Sequence, residues 1–263
     1  MSGAVVDLAP SAAGSVLACG YVWLAARDGR RWPVGRTLLF LAGAAVLTIA
    51  VSPPVDRLAD HDFGGHAAQH LLLAMVAPLG LALGAPVTLL LRGLPHAAAR
   101  RLGRALHTAP IRLLARPSVA LLLSSGGLVL LYFTPLYDAS TRDPVVHALV
   151  HLHLLASGLL FAWVIAGPDP APVRASVPAR LVVLGVAVAV HAVVSQLLFA
   201  GILVQVHEPV GEMQAAGNLM YVGGDVAEVL LALALLLTWR RGGDGSRRRR
   251  TAGSSPRVTH ART

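Results

Sequence analysis

Apolar residues along this chain gather into seven long runs separated by short polar or proline-rich joints. The runs are Pro10 to Ala26, Thr37 to Val51, His66 to Leu91, Ser118 to Phe133, Val145 to Ile165, Ala179 to Val206 and Asn218 to Trp239. Most approach the twenty or so residues a helix needs to cross a hydrocarbon core. The pattern predicts an all-α polytopic membrane bundle of seven transmembrane helices. Residues 1–240 would form one domain and residues 241–263 a disordered basic cytoplasmic tail.

Within the third run Pro78 predicts a kink, and Gly80, Gly84 and Pro86 predict close packing or local unwinding. Between Arg92 and Arg116 six arginines alternate with Leu94, Ala98, Leu102, Ala105 and Leu106 at helical spacing. This segment reads either as an amphipathic helix lying on headgroups or as a solvated basic loop.

Charge fixes an expected orientation. From the first joint to the last, arginines number four, one, six, one, one or two, and none, with none before the first run and eight in the tail. Basic loops stay cytoplasmic, so the N-terminus is expected outside and the C-terminus inside, in the cell membrane. The net charge of +9 is then a determinant of topology, and no nucleic-acid partner is implied.

Composition narrows the chemistry. The chain is 55% hydrophobic and 13% charged, which excludes an ordinary soluble domain. All 22 basic residues are arginine, so no lysine Schiff base, and hence no retinal protein, is possible. The lone Cys19 allows neither an internal disulfide framework nor a CxxC metal site.

Histidines at membrane depth carry the functional signal. His66 and His70 lie on one face of the third helix, and His147 and His151 repeat the same i, i+4 spacing on the fifth. Each pair by itself reads equally as headgroup-wetted imidazoles or as half of a metal site. In the expected topology both pairs, together with His207, Asp225 and Glu228, fall in the outer part of the bundle. At 1.5 Å per residue His70, His151 and Asp225 share a depth of roughly 6 to 10 Å below the helix ends. Gly158, on the face carried on from His151, would let a neighbouring helix come close.

Carboxylates as deep as Asp225 and Glu228 require an imidazolium or a metal as partner. His153 points away from the pair, and His191, beside Ser195 and Gln196, reads as half of an interhelical hydrogen bond. Imidazole with carboxylate suits zinc or copper(II), whereas copper(I) prefers the sulfur that Met75, Met213 and Met220 could offer. Those methionines read chiefly as packing residues. The residues thus indicate a transition metal or haem without choosing between them.

His66-x-x-Gln69-His70-Leu-Leu-Leu, followed by Ala77-Pro78, Leu83-Gly84 and Ala85-Pro86, resembles the CtaG family of cytochrome c oxidase assembly factors. Tyr132-Phe-Thr-Pro135, His147-x-x-x-His151, Gly158-x-x-Phe161-x-Trp163, Gly167-Pro-Asp-Pro170 and Gly217-Asn-Leu-Met220-Tyr221 are similar to its later landmarks. The likeness covers about residues 35 to 240. The chain departs from the family at Ala67, where methionine is frequent, and at Glu212-Met213-Gln214, near an expected Asp-Gln pair.

The resemblance implies a non-enzymatic membrane factor that assists copper delivery or insertion into cytochrome c oxidase, with oxidase subunits and the lipid bilayer as partners. His66, His70, His147 and His151, helped by His207 or by Asp225 and Glu228, would hold the copper. A metal transporter and a haem-binding redox protein are the competing readings.

Overall fold

The computed structural model describes residues 3–28 and 32–252. They are predominantly helical, with no strand among the described residues. The helices are α1 (Gly3–Arg27), α2 (Val34–Ala50), α3 (Pro53–His61), α4 (Phe63–Leu71), a π-helical turn (Leu72–Val76), α5 (Ala77–Leu83), α6 (Pro86–Gly93), α7 (His96–Leu106), α8 (Ala109–Leu114), α9 (Pro117–Phe133), α10 (Leu136–Arg142), α11 (Pro144–Ile165), α12 (Val177–Ala200) and α13 (Val210–Ala252).

Among the described residues four helical segments are long and apolar enough to cross a membrane: Phe63–Leu83, Pro144–Ile165, Val177–Ala200 and Val210–Trp239. Two bent pairs, α2 with α3 (53°) and α9 with α10 (77°), raise the number to six if each is one span. Proline sets both bends: Pro53 and Pro54 follow α2, and Pro135 separates α9 from α10. Large apolar side chains such as Leu122, Leu149, Val182 and Val229 point outward from these helices, as a lipid-facing surface requires. The expected first span, Pro10 to Ala26, falls on α1, part of whose side chains lie outside the described residues.

Several expected boundaries shift for local reasons. The third apolar run does not reach Leu91 as one helix. It ends at Leu83, and Ala85 adopts φ 56°, ψ 51° before Pro86 opens α6. A residue before proline is driven out of the right-handed α region, which separates the two helices here.

The sixth run likewise ends early, at Ala200, because Gly201 (φ 66°) closes α12 in the left-handed region. Residues 202–209 are therefore not helical. The basic segment after Arg92 forms two short helices, α7 and α8, neither with a buried residue. The last helix continues to Ala252, past the expected start of the tail at 241. The remainder of that tail, 253–263, lies outside the described residues.

Packing relies on small residues. Gly43 of α2 and Gly80 of α5 meet backbone to backbone: a Cβ on Gly43 would lie 2.5 Å from the Leu81 nitrogen. Gly158 of α11 faces the π turn so closely that its Cβ would stand 2.0 Å from the Ala74 carbonyl oxygen and 3.0 Å from Pro78 Cγ. Ala74 is the residue whose carbonyl an α-helix would have bonded to the nitrogen of residue 78, and proline has no hydrogen to give. The π turn sits directly before Pro78, where the helical ladder has to be redrawn.

One motif finds its use in the fold. Buried Asp169, from Gly167-Pro-Asp-Pro170, accepts from the Val87 nitrogen (3.0 Å), the Thr88 nitrogen (2.7 Å) and the Thr88 hydroxyl (2.5 Å). It caps the N-terminus of α6 from 81 residues away. At the same end Trp32 Nε1 donates to the Tyr21 hydroxyl, which donates to the Gly84 carbonyl (2.8 and 2.7 Å).

Candidate functional site

Two helices bring four imidazoles together at one end of the bundle. On α4, His66 and His70 have ring centroids 4.2 Å apart, and on α11 the corresponding His147–His151 distance is 4.1 Å. Across the helix interface His66 faces His147 at 5.7 Å and His70 faces His151 at 5.4 Å. The result is a two-rung ladder, made by identical i, i+4 spacing on two helices in register. The Gly158–Ala74 approach below it sets the gap between them.

Caps at both helix starts hold this register. Asp62 accepts from the Gly65 nitrogen (2.6 Å) at the start of α4, and Asp143 from the Val145 nitrogen (2.7 Å) at the start of α11. Between the two histidines of α4, buried Gln69 turns the other way and donates to the Ala50 carbonyl (2.8 Å) and to Asp56 (2.5 Å). It ties the histidine-bearing helix to the α2–α3 bend.

His66 and His70 are both nearly sealed from solvent, at 3% and 4% exposure. Three ring nitrogens of the ladder, His66 Nε2, His70 Nδ1 and His151 Nε2, are buried without a hydrogen-bond partner. Such orphaned groups are expensive to keep. The rings meet edge to face, with interplanar angles of 70° to 90°. Among the described residues no group of three or more His, Cys, Asp or Glu side chains converges on one point as a metal would require. Rotation of the rings about their side-chain torsions is needed to bring nitrogens to ligand distance, about 2 Å from a common centre.

The ladder separates two cavities of opposite character. On the side of the helix ends, a polar cavity of about 320 Å³ is floored by His66 and His147 and walled by Asp60, Asp62, Glu208 and Glu212. Tyr137 stands against His66 (5.2 Å) and donates to Glu208 (3.3 Å). Its position on the short α10, after a proline-set bend, gave no sequence signal. On the other side, an apolar cavity of about 80 Å³ reaches from His70 to His191 and Glu228.

The other expected site residues are placed elsewhere. His207 sits after Gly201 on the non-helical stretch, largely exposed, with its Nδ1 3.3 Å from Asp138. It belongs to the rim, because α12 stops before it could carry the residue inward. Asp225 is half-buried and lines neither cavity. Asp225 and Glu228, three residues apart, adjoin on one helix face, but only Glu228 is buried and reaches a cavity. Glu228 is buried and meets His191 Nδ1 at 3.3 Å, which is the interhelical bond expected of His191. His153 Nε2 donates to the Leu123 carbonyl (3.1 Å), away from the ladder.

Helices that bury histidines and carboxylates while exposing apolar side chains along their length define a multi-pass membrane protein with a polar site inside one end. The chain belongs to the family of the cytochrome c oxidase caa3 assembly factor (Caa3_CtaG), whose model matches residues 18–242. Over 191 residues it is 38% identical to uncharacterized protein Mb0105 of Mycobacterium bovis and to uncharacterized protein MT0111 of Mycobacterium tuberculosis, covering 69% of this chain and 29% of each relative. It is 35% identical over 187 residues to uncharacterized protein ML1998 of Mycobacterium leprae, covering 67% of this chain and 28% of the relative. The chain thus spans less than a third of the length of the curated relatives it matches. No solved structure matches it.

Proposed function

We propose that this protein assists copper delivery or insertion during cytochrome c oxidase assembly, and that the histidine ladder holds the copper in transit. Seven spans with the N-terminus outside and the arginine-rich ends inside would open the acidic cavity away from the cytoplasm. The observation that carries the reading is the facing of two histidine pairs across one helix interface, with three buried ring nitrogens lacking any partner.

Imidazole donors suit copper in either common oxidation state. Cargo must be held and then released, and rings that need only a torsional adjustment to converge serve both steps. Carboxylates around the mouth raise the local concentration of cations. His66 and His147 meet an incoming ion first, and His70 and His151 receive it at the second rung. Because a protonated imidazole cannot ligate, retention falls as the pH is lowered. The partner is an oxidase subunit presenting its own copper ligands on the same side.

The test is copper retention by purified protein after removal of loosely held metal, comparing wild type with His70→Ala/His151→Ala. Wild type keeps copper and the double variant loses it. Equal retention by the two would overturn the proposal. In cells, the same variant should leave the oxidase polypeptides present but short of copper.

A further inference from the structure

Beneath the ladder, His191 on α12 and Glu228 on α13 form a buried pair, at 8% and 6% exposure. The pair shares the 80 Å³ cavity with His70, Met75 and Met220. With the ring neutral and the Glu228 carboxylate accepting at His191 Nδ1, that nitrogen carries the hydrogen and Nε2 presents a bare lone pair. His191 Nε2 is buried and has no partner. A carboxylate on one imidazole nitrogen with a free lone pair on the other is the arrangement that orients a metal-ligating histidine.

The backbone makes room for it. A Cβ on Gly224 would come within 2.1 Å of His191 Cε1, so only glycine lets the ring lie against α13 at this height. Within lipid, a carboxylate and an unsatisfied imidazole are both costly. One cation on Nε2 would satisfy the ring and offset the carboxylate together.

We propose that this cavity is a second, deeper station for a soft monovalent cation of the Cu(I) class, ligated by His191 Nε2 and His70 Nδ1 with Met75 or Met220 sulfur, and charge-balanced by Glu228. His70, with its orphaned Nδ1, borders both the ladder and this cavity and swings its one free lone pair from the first to the second as the ion passes; when both stations are filled, His66, His147 and His151 hold the upper ion. A single positive charge against a single carboxylate leaves the site neutral, whereas a divalent ion would leave excess charge in a low-dielectric interior. Thioether sulfur favours the same choice. The 3.3 Å His191–Glu228 contact is longer than the roughly 2.7–2.9 Å of a charge-assisted bond and shortens once a bound cation polarises the ring.

The inference rests on the ladder as a copper site, so the experiment reads the two stations separately. Purified full-length protein is loaded anaerobically with Cu(I) and the copper retained against a competing chelator is counted for wild type, His191→Ala and Glu228→Gln. Wild type is expected to keep two ions and His191→Ala one. Glu228→Gln preserves volume and should weaken the second ion by about 10- to 100-fold, a readout that survives if His191→Ala does not fold. Wild type keeping one ion, unaltered in affinity by either substitution, overturns the deeper station and leaves the ladder standing. Wild type keeping none overturns the proposed function along with it.

Discussion

Replacing Gly158 by alanine tests whether helix approach sets the histidine geometry. The added Cβ would stand 2.0 Å from the Ala74 carbonyl oxygen and 2.8 Å from its carbon, and real Cβ atoms essentially never come under 3.0 Å. Both are backbone atoms of the π turn, so no side chain can swing aside, and α11 must retreat by at least about 1 Å. Overpacking of this kind costs about 1–3 kcal/mol. His151 lies two turns along α11 from Gly158, about 10 Å away, and His70 about 6 Å along its own helix from Ala74. The retreat therefore widens the 5.4 Å and 5.7 Å rungs.

Gly185→Ala is the control, since a Cβ there meets nothing within 4 Å and alanine in a helix interior is favoured by roughly 0.5–1 kcal/mol. Thermal unfolding in detergent and copper retention are measured on both variants. Gly158→Ala should melt lower and hold copper at least tenfold more weakly, while Gly185→Ala should match or exceed wild type in stability and hold copper equally. If the two variants behaved alike, contact between α11 and the π turn would not be what fixes the ladder.

Two further outcomes follow from hydrogen bonds described above. Asp169→Ala removes the acceptor for two backbone nitrogens and one hydroxyl at the start of α6 and should cost about 2–4 kcal/mol in thermal unfolding, with Asp169→Asn milder because one carbonyl oxygen remains. Gln69→Leu removes the bonds to Ala50 and Asp56 and should cost about 1–3 kcal/mol. It should loosen copper as well, since α4 is no longer tied to the α2–α3 bend; unaltered retention would show that α11 alone positions the histidines.

What could be read from the chain was whatever depended on periodicity. Helical spacing placed His66 with His70 and His147 with His151, put Gly158 against a neighbour, sent His153 elsewhere and gave His191 an interhelical partner. What depended on where helices stop was not legible. A single glycine at 201, lost among apolar residues, ends α12 and strands His207 on the rim, and Ala85 before Pro86 splits the third run. Bonds linking residues far apart in sequence were hidden as well: Asp169 capping α6 reads locally as a stiff turn, and Gln69 reads as a polar neighbour of the histidines. Glu228 was legible as a carboxylate in need of a partner but not as the partner of His191, because helix rotation is fixed only by packing.

The π turn at Leu72–Val76 has a bearing on how such a site arises. It lies one residue past His70, between the histidines and the proline that anchors the lower half of the same span. Shortening this turn by a single residue would swivel everything above it by about 100°, swinging both imidazoles away from α11 while sparing nearly all of the apolar length. The one-residue surplus works as an aiming device, so a chain that had lost it could still enter the bilayer and yet arrive with its two histidine pairs facing apart.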